Sequence, residues 1–102
     1  MDKITVDVGV YTSLEVDLSQ FDFTGISKVV MTAKNDTDGQ VIFVREFYTA
    51  QVHPVEITPE ESNMLEDGAE YDFDIITEDG RRFKNGPNGR VALRRGVGNA
   101  ND

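Results

Sequence analysis

The run TPEESNMLEDGAEYDFDIITEDG, residues 58–80, decides how the rest of the chain is read. Thr58 suits a helix N-cap, Pro59 the first helical position, and Glu61 is placed to close a capping box. Met64 and Leu65 are the only apolar residues of this short helical turn, expected over about 59–66, and Gly68 suits the left-handed backbone that stops it. The period then changes. Tyr71, Phe73 and Ile75 fall on one face of a strand, and Glu70, Asp72 and Asp74 on the other. Asp79-Gly80 reads as a tight hairpin turn. A capped turn that crosses between sheets and enters a central strand, with a tyrosine near its start, is a connection that β-sandwiches use.

Working outward, Ile4, Val6, Val8 and Val10 alternate with polar or small residues and predict a first strand; Leu14, Val16 and Leu18 predict a second. Phe21 and Phe23, in the link 19–25, are expected to plug an open end of the core. A third strand over 27–34 turns Val29, Met31 and Ala33 inward, and the turn formers of 35–39 make a hairpin into a long fourth strand over 40–49. The fourth strand carries apolar residues on both faces, Val41/Phe43/Phe47 and Ile42/Val44/Tyr48, so it is either central or covers a partner surface. Residues 52–58 follow, with Val55 and Ile57 inward and Pro54 suited to a sheet edge. After the central strand come 81–84, with Phe83 inward, a loop of breakers over 85–89, and a last strand over 90–94 on Val91 and Leu93. The pattern predicts an all-β, Ig-like antiparallel β-sandwich of seven to eight strands, a single domain over 1–95 with a flexible tail over 96–102.

At 102 residues the chain can bury roughly 65% of its unfolded surface in one core. It has no cysteine, which removes disulfides, thiolate nucleophiles and zinc–thiolate sites together. The start, MDKITVDVGV, lacks the basic and apolar regions of a signal peptide, and no apolar run approaches the roughly 20 residues of a spanning helix. Synthesis in the cytoplasm and no membrane contact are expected. The net charge of −9 is unevenly spread: residues 1–79 carry −14 and residues 80–102 carry +5. Arg81, Arg82, Lys84, Arg90, Arg94 and Arg95 make the basic end a candidate interaction patch for a carboxylate-rich surface, including a second copy of the chain. Direct nucleic-acid binding is disfavoured, because the acids of the body repel phosphate.

No reaction is written in these residues. His53 is the only histidine, with no second imidazole or thiolate to share a metal. In an EF-hand frame Asp36, Asp38 and Gly39 fall at loop positions three, five and six, but Lys34 and Arg45 then occupy positions that need acids. A hairpin explains the same residues. Glu70, Asp72 and Asp74 stand roughly 7 Å apart along one strand, a range open to a glycosidase pair, yet they read better as a wet sheet face. Gly86, Pro87 and Gly89 lack the Lys-Ser/Thr of a phosphate cradle.

The run Leu65-x-x-Gly68-x-x-Tyr71-x-Phe73-Asp74-Ile75, with Asp79-Gly80 after it, resembles a motif of small β-sandwich modules encoded by phages and prophages of Gram-positive bacteria. Leu14-x-Val16-x-Leu18, Val29-x-Met31-x-Ala33-Lys34 and Val55-x-Ile57 extend the likeness over about residues 4–93. The family pattern has one residue fewer between its glycine and first aromatic than this chain, where Ala69-Glu70 intervenes. Such modules stand at the N-termini of baseplate and tail-fibre proteins or as short separate proteins. The resemblance implies a non-enzymatic virion structural or assembly module without a cofactor. Its partners would be proteins, either a second copy in a homo-oligomer or a phage tail or baseplate protein, and its final location the virion. Because the shared positions are core positions, no functional residue carries over. Two other readings stay open: a small acidic inhibitor or nucleic-acid mimic that fills a basic host site, and a carbohydrate-binding sandwich using Tyr11, Phe47 and Tyr48.

Overall fold

The computed structural model describes residues 2–84 and 88–94. Eight strands and one helix follow in the order β1 (Asp2–Asp7), β2 (Thr12–Asp17), β3 (Ile26–Lys34), β4 (Val41–Phe47), β5 (Val52–Ile57), α1 (Pro59–Met64), β6 (Glu70–Thr77), β7 (Arg82–Phe83) and β8 (Asn88–Arg94). The larger sheet runs β1-β8-β6-β3-β4, with β7 pairing β6 beyond β8, and the smaller sheet is β2-β5. In immunoglobulin terms β2 and β5 hold the places of B and E, while β3, β4, β6 and β8 hold those of C, C′, F and G. The all-β sandwich class expected from the sequence is the class observed. Its pairing is not antiparallel throughout, since β1 lies parallel to β8, with Ile4 opposite Val91 and Val6 opposite Leu93.

The core lies between the sheets. Val16, Leu18, Val55 and Ile57 meet Val29, Met31, Ala33, Phe43, Phe47, Tyr71, Phe73 and Val91 there, and Phe21 and Phe23 pack against this cluster as expected of plugs. β4 settles its two-sided sequence with a register shift against β3. Ala33 faces Phe43, Lys34 faces Val41, and Ile42 is the extra residue. Phe43, Phe47 and Ile42 therefore turn to the core, while Val41 and Val44 are left half-exposed outside.

Three expectations change. The first strand ends at Asp7, because Gly9 takes a left-handed φ of 86° and the chain turns there. Val10 is 53% exposed as a result. Phe83 is 44% exposed rather than inward, with the Arg81 guanidinium over its ring at 5.6 Å. The helix carries the expected capping box, Thr58 Oγ1 accepting from the Glu61 N–H and Glu61 accepting from the Thr58 N–H, but it stops at Met64 on an extended Leu65. Leu65 is buried, so the core pulls the chain out of the helix before Gly68.

Gly68 acts one turn later. Its φ of 89° swings the chain into β6, and its N–H donates to the Val91 carbonyl at 2.7 Å. An added Cβ would meet nothing within 4 Å, so Gly68→Ala isolates the backbone term. Loss of about 1–2 kcal/mol is expected in urea titration, with an unchanged m-value. No loss would mean that the turn relaxes to a negative φ.

Candidate functional site

The acid ladder of β6 lies on the outer face of the larger sheet, opposite the core residues Tyr71 and Phe73. Alternation along the strand puts it there, and basic side chains from β7, β8 and Lys84 reach its acids. Asp74 is 5% exposed. A carboxylate this dry must be paired, and Arg82 Nε at 3.0 Å and Lys84 Nζ at 2.9 Å supply the charge. Lys84 also reaches Asp72 at 3.4 Å, and Arg90 spans Glu70 at 3.3 Å and Asp36 at 3.5 Å. The hydrogen bond to Asp74 raises the Lys84 pKa.

The remaining described members of the basic patch are also engaged. Arg81 pairs with Asp79 at 3.0 Å across the β6–β7 turn. Arg94 grips both oxygens of Asp7 on β1, which holds that carboxyl below its ordinary pKa. Arg95 lies outside the described residues. Arg81, Arg82, Lys84, Arg90 and Arg94 thus each have an acid of the same chain beside them, while their side chains stay more than half exposed. The charges that are segregated along the sequence are interleaved in space.

The two flanks of the sandwich are finished differently. Where β4 meets β5, Arg45 laces the sheets together. Its guanidinium lies 4.8 Å from the Phe43 ring centroid, donates to the Glu56 carbonyl at 3.0 Å, and reaches Glu61 at 2.7 Å. Glu61 is the same residue that closes the capping box, so one carboxylate serves helix and brace. Burial pushes its pKa up, but the bonds from Arg45 and the Thr58 N–H prevail, and the net shift is downward. A lowered carboxylate stabilises the fold fully above its unfolded pKa, and the benefit fades as pH falls through the folded value. Arg45→Met keeps the stem and removes the charge. It is expected to cost about 1–2 kcal/mol at neutral pH, and the gap to the parent should narrow as pH falls below about 4. A gap constant with pH would show that Arg45 acts through packing alone.

The opposite flank is open. β1 is drawn into the larger sheet, so it does not pair with β2, and β2 pairs only with β5 among the described residues. A groove of about 440 Å³ runs between them, with Lys3 and Ile4 on one side, Leu14 to Leu18 on the other, and Met31, Tyr71 and Phe73 at its floor. Glu15 and Asp17 on its rim are exposed and have no ion-pair partner among the described residues, and the same holds for Glu56 on β5. Asp17 instead accepts from the Ser19 hydroxyl and N–H, which lowers its pKa.

His53 rests its ring on Phe47 at 5.0 Å, with Nε2 2.8 Å from the Thr49 carbonyl oxygen. Among the described residues no three His, Asp or Glu side chains are grouped to hold a metal, and no helix is long and apolar enough to cross a membrane. Tyr11 and Tyr48 are exposed, but Phe47 is buried at 5%, which removes one platform from the carbohydrate reading. Sequence reasoning missed two buried polar anchors. Ser62 accepts from the Gly9 N–H at 2.9 Å and ties the β1–β2 turn to α1, and Asn35 bonds the end of α1. Compared with protein-family models, curated proteins and solved structures, the chain matches none of them.

Proposed function

We propose that this chain is a non-enzymatic assembly module of a phage or prophage particle, associated with its tail or baseplate and working through protein contacts. The observation that carries the reading is the destination of the basic side chains of residues 81–84 and 90–94. Each described base there has an acid of the same chain beside it, so these charges are partly offset within the slab. What the molecule then offers outward is sheet edge and apolar surface, including half-exposed Val41 and Val44 on the larger sheet. The motif over residues 65–80, with its resemblance to phage modules, supplies the setting.

In the host that carries the gene, a tagged chain is expected to co-sediment with purified particles through a density gradient and to be labelled at one end of the virion. Particles that form with a normal tail in a deletion strain, with the chain found only in the soluble fraction, would overturn the reading. A second reading draws on the exposed, uncompensated Glu15, Asp17 and Glu56. As an acidic inhibitor, the chain would remain soluble and co-purify in fixed ratio with a basic host enzyme whose activity it suppresses.

A further inference from the structure

We infer that the open flank between β1 and β2 is a docking groove for an extended segment of a partner protein with alternating apolar and basic residues, added as a strand to β2. The inference rests on the assembly reading and names its contact surface. Three observations converge there. Among the described residues β2 has a neighbour on one side only, which leaves a row of backbone donors and acceptors along Thr12–Asp17. The groove beside it reaches the core, because Leu18 and Met31, each 1% exposed, and Phe73, 4% exposed, lie along it or at its floor. Its β2 rim is anionic, through Glu15 and Asp17, while the described bases of residues 81–94 each already have an acid beside them.

A strand laid along β2 presents its side chains alternately to the two faces. One set enters the groove beside Leu14 and Val16, which requires apolar residues. The other set stands outside, opposite or diagonal to Glu15 and Asp17, where basic residues are favoured. The same geometry argues against a second copy. A register that keeps Leu14 and Val16 facing the core pairs odd-numbered residues with odd-numbered ones. The two such registers that use most of β2 set Glu15 directly opposite, or diagonal to, Glu15 of the other copy. On the opposite flank Arg45 already occupies the Val44 carbonyl of β4 and the Glu56 carbonyl of β5.

The test uses the full chain and a blocked peptide of about seven alternating lysines and valines, followed by two-dimensional amide NMR. Binding is expected to shift and protect amides of residues 12–18 and to weaken with added salt. Methylating alternate peptide nitrogens leaves the charge unchanged and removes the strand's donors, so it should weaken binding at least about tenfold. Glu15→Lys should weaken it about fivefold or more, while Glu78→Lys, the same charge change at the β6–β7 turn, should leave it within about twofold. Equal binding of the methylated peptide, shifts centred on the Val41/Val44 face, or no binding would overturn the groove. Should the peptide fail while the chain is found in particles, the groove falls and the assembly reading stands. Peptide binding by a chain absent from particles would do the opposite, keeping the groove and removing the assembly reading.

Discussion

Phe73→Ala is expected to cost about 3–5 kcal/mol, the largest effect of any single truncation proposed for this chain. Phe73 sits midway along β6, faces Met31 across the β3 ladder, and lies between the stretch of β6 that pairs with β8 and the stretch that pairs with β7. Its ring meets Tyr71 edge-on at 6.2 Å and is 4% exposed. With β3 paired at Phe73 itself and β8 and β7 holding β6 just before and after it, the backbone has little room to move in, so the loss combines transfer free energy with a cavity. For domains of this size, ordinary stability is about 5–15 kcal/mol and one kcal/mol shifts Tm by roughly 4–8 °C, so the variant should melt at least about 12 °C lower. Tyr48→Ala, at a 59% exposed position, should change stability by less than about 0.5 kcal/mol. A Phe73→Ala loss below about 1 kcal/mol would mean that the two sheets are not packed against each other at this position.

Residues 58–80 were legible because they carry local rules. A capping box needs only Thr58 and Glu61, and it forms as the spacing requires. The alternation of β6 needs only a sheet with one dry face. Where two local rules compete, the reading stops. β4 has apolar residues on both faces, and the register shift that sends Val41 outward and Ile42 inward appears only when β4 pairs with β3. Val8 and Val10 continue the period of β1, but Gly9 turns the chain, and its N–H is held by Ser62, 53 residues away.

The candidate surface was legible in kind and not in arrangement. Counting charge along the chain separates an acidic body from a basic end. Folding brings β8 beside β6 and β1, which sets Arg90 by Glu70 and Arg94 by Asp7. No pattern within either segment announces those pairs, because they depend on strand order. The open groove is hidden for the same reason. It exists because β1 pairs with β8 in place of β2, a choice made by contacts nearly the full length of the chain apart.

Asn35 shows how far a local reading can stray, and it supplies the second large effect. In sequence it is the first of a row of turn formers, and it does open the hairpin, with its N–H donating to the Gln40 carbonyl. Its side chain does something else. Only 4% of Asn35 is exposed, its Nδ2 donates to the Met64 carbonyl at 2.9 Å, and its Oδ1 accepts from the Glu66 N–H at 2.9 Å. These are backbone groups at the end of α1, where no basic residue is present to help. Asn35→Ala leaves both partly buried groups unpaired, at about 1–3 kcal/mol each when fully dry, so a loss of about 2–3 kcal/mol is expected. Asn35→Asp is the sharper test. The carboxylate can still accept from Glu66 N–H, but it faces the Met64 carbonyl with no donor, in a buried place beside the acids of the hairpin. Its folded pKa must therefore rise above the unfolded value, which is the reverse of the Glu61 case. At neutral pH the Asp variant should be at least as unstable as the Ala variant. As pH falls toward about 4, the protonated acid can donate to Met64, and the Asp variant should recover against the parent while the Ala variant does not. Parallel pH curves for the two would show that Asn35 merely fills space and that the end of α1 is satisfied by water.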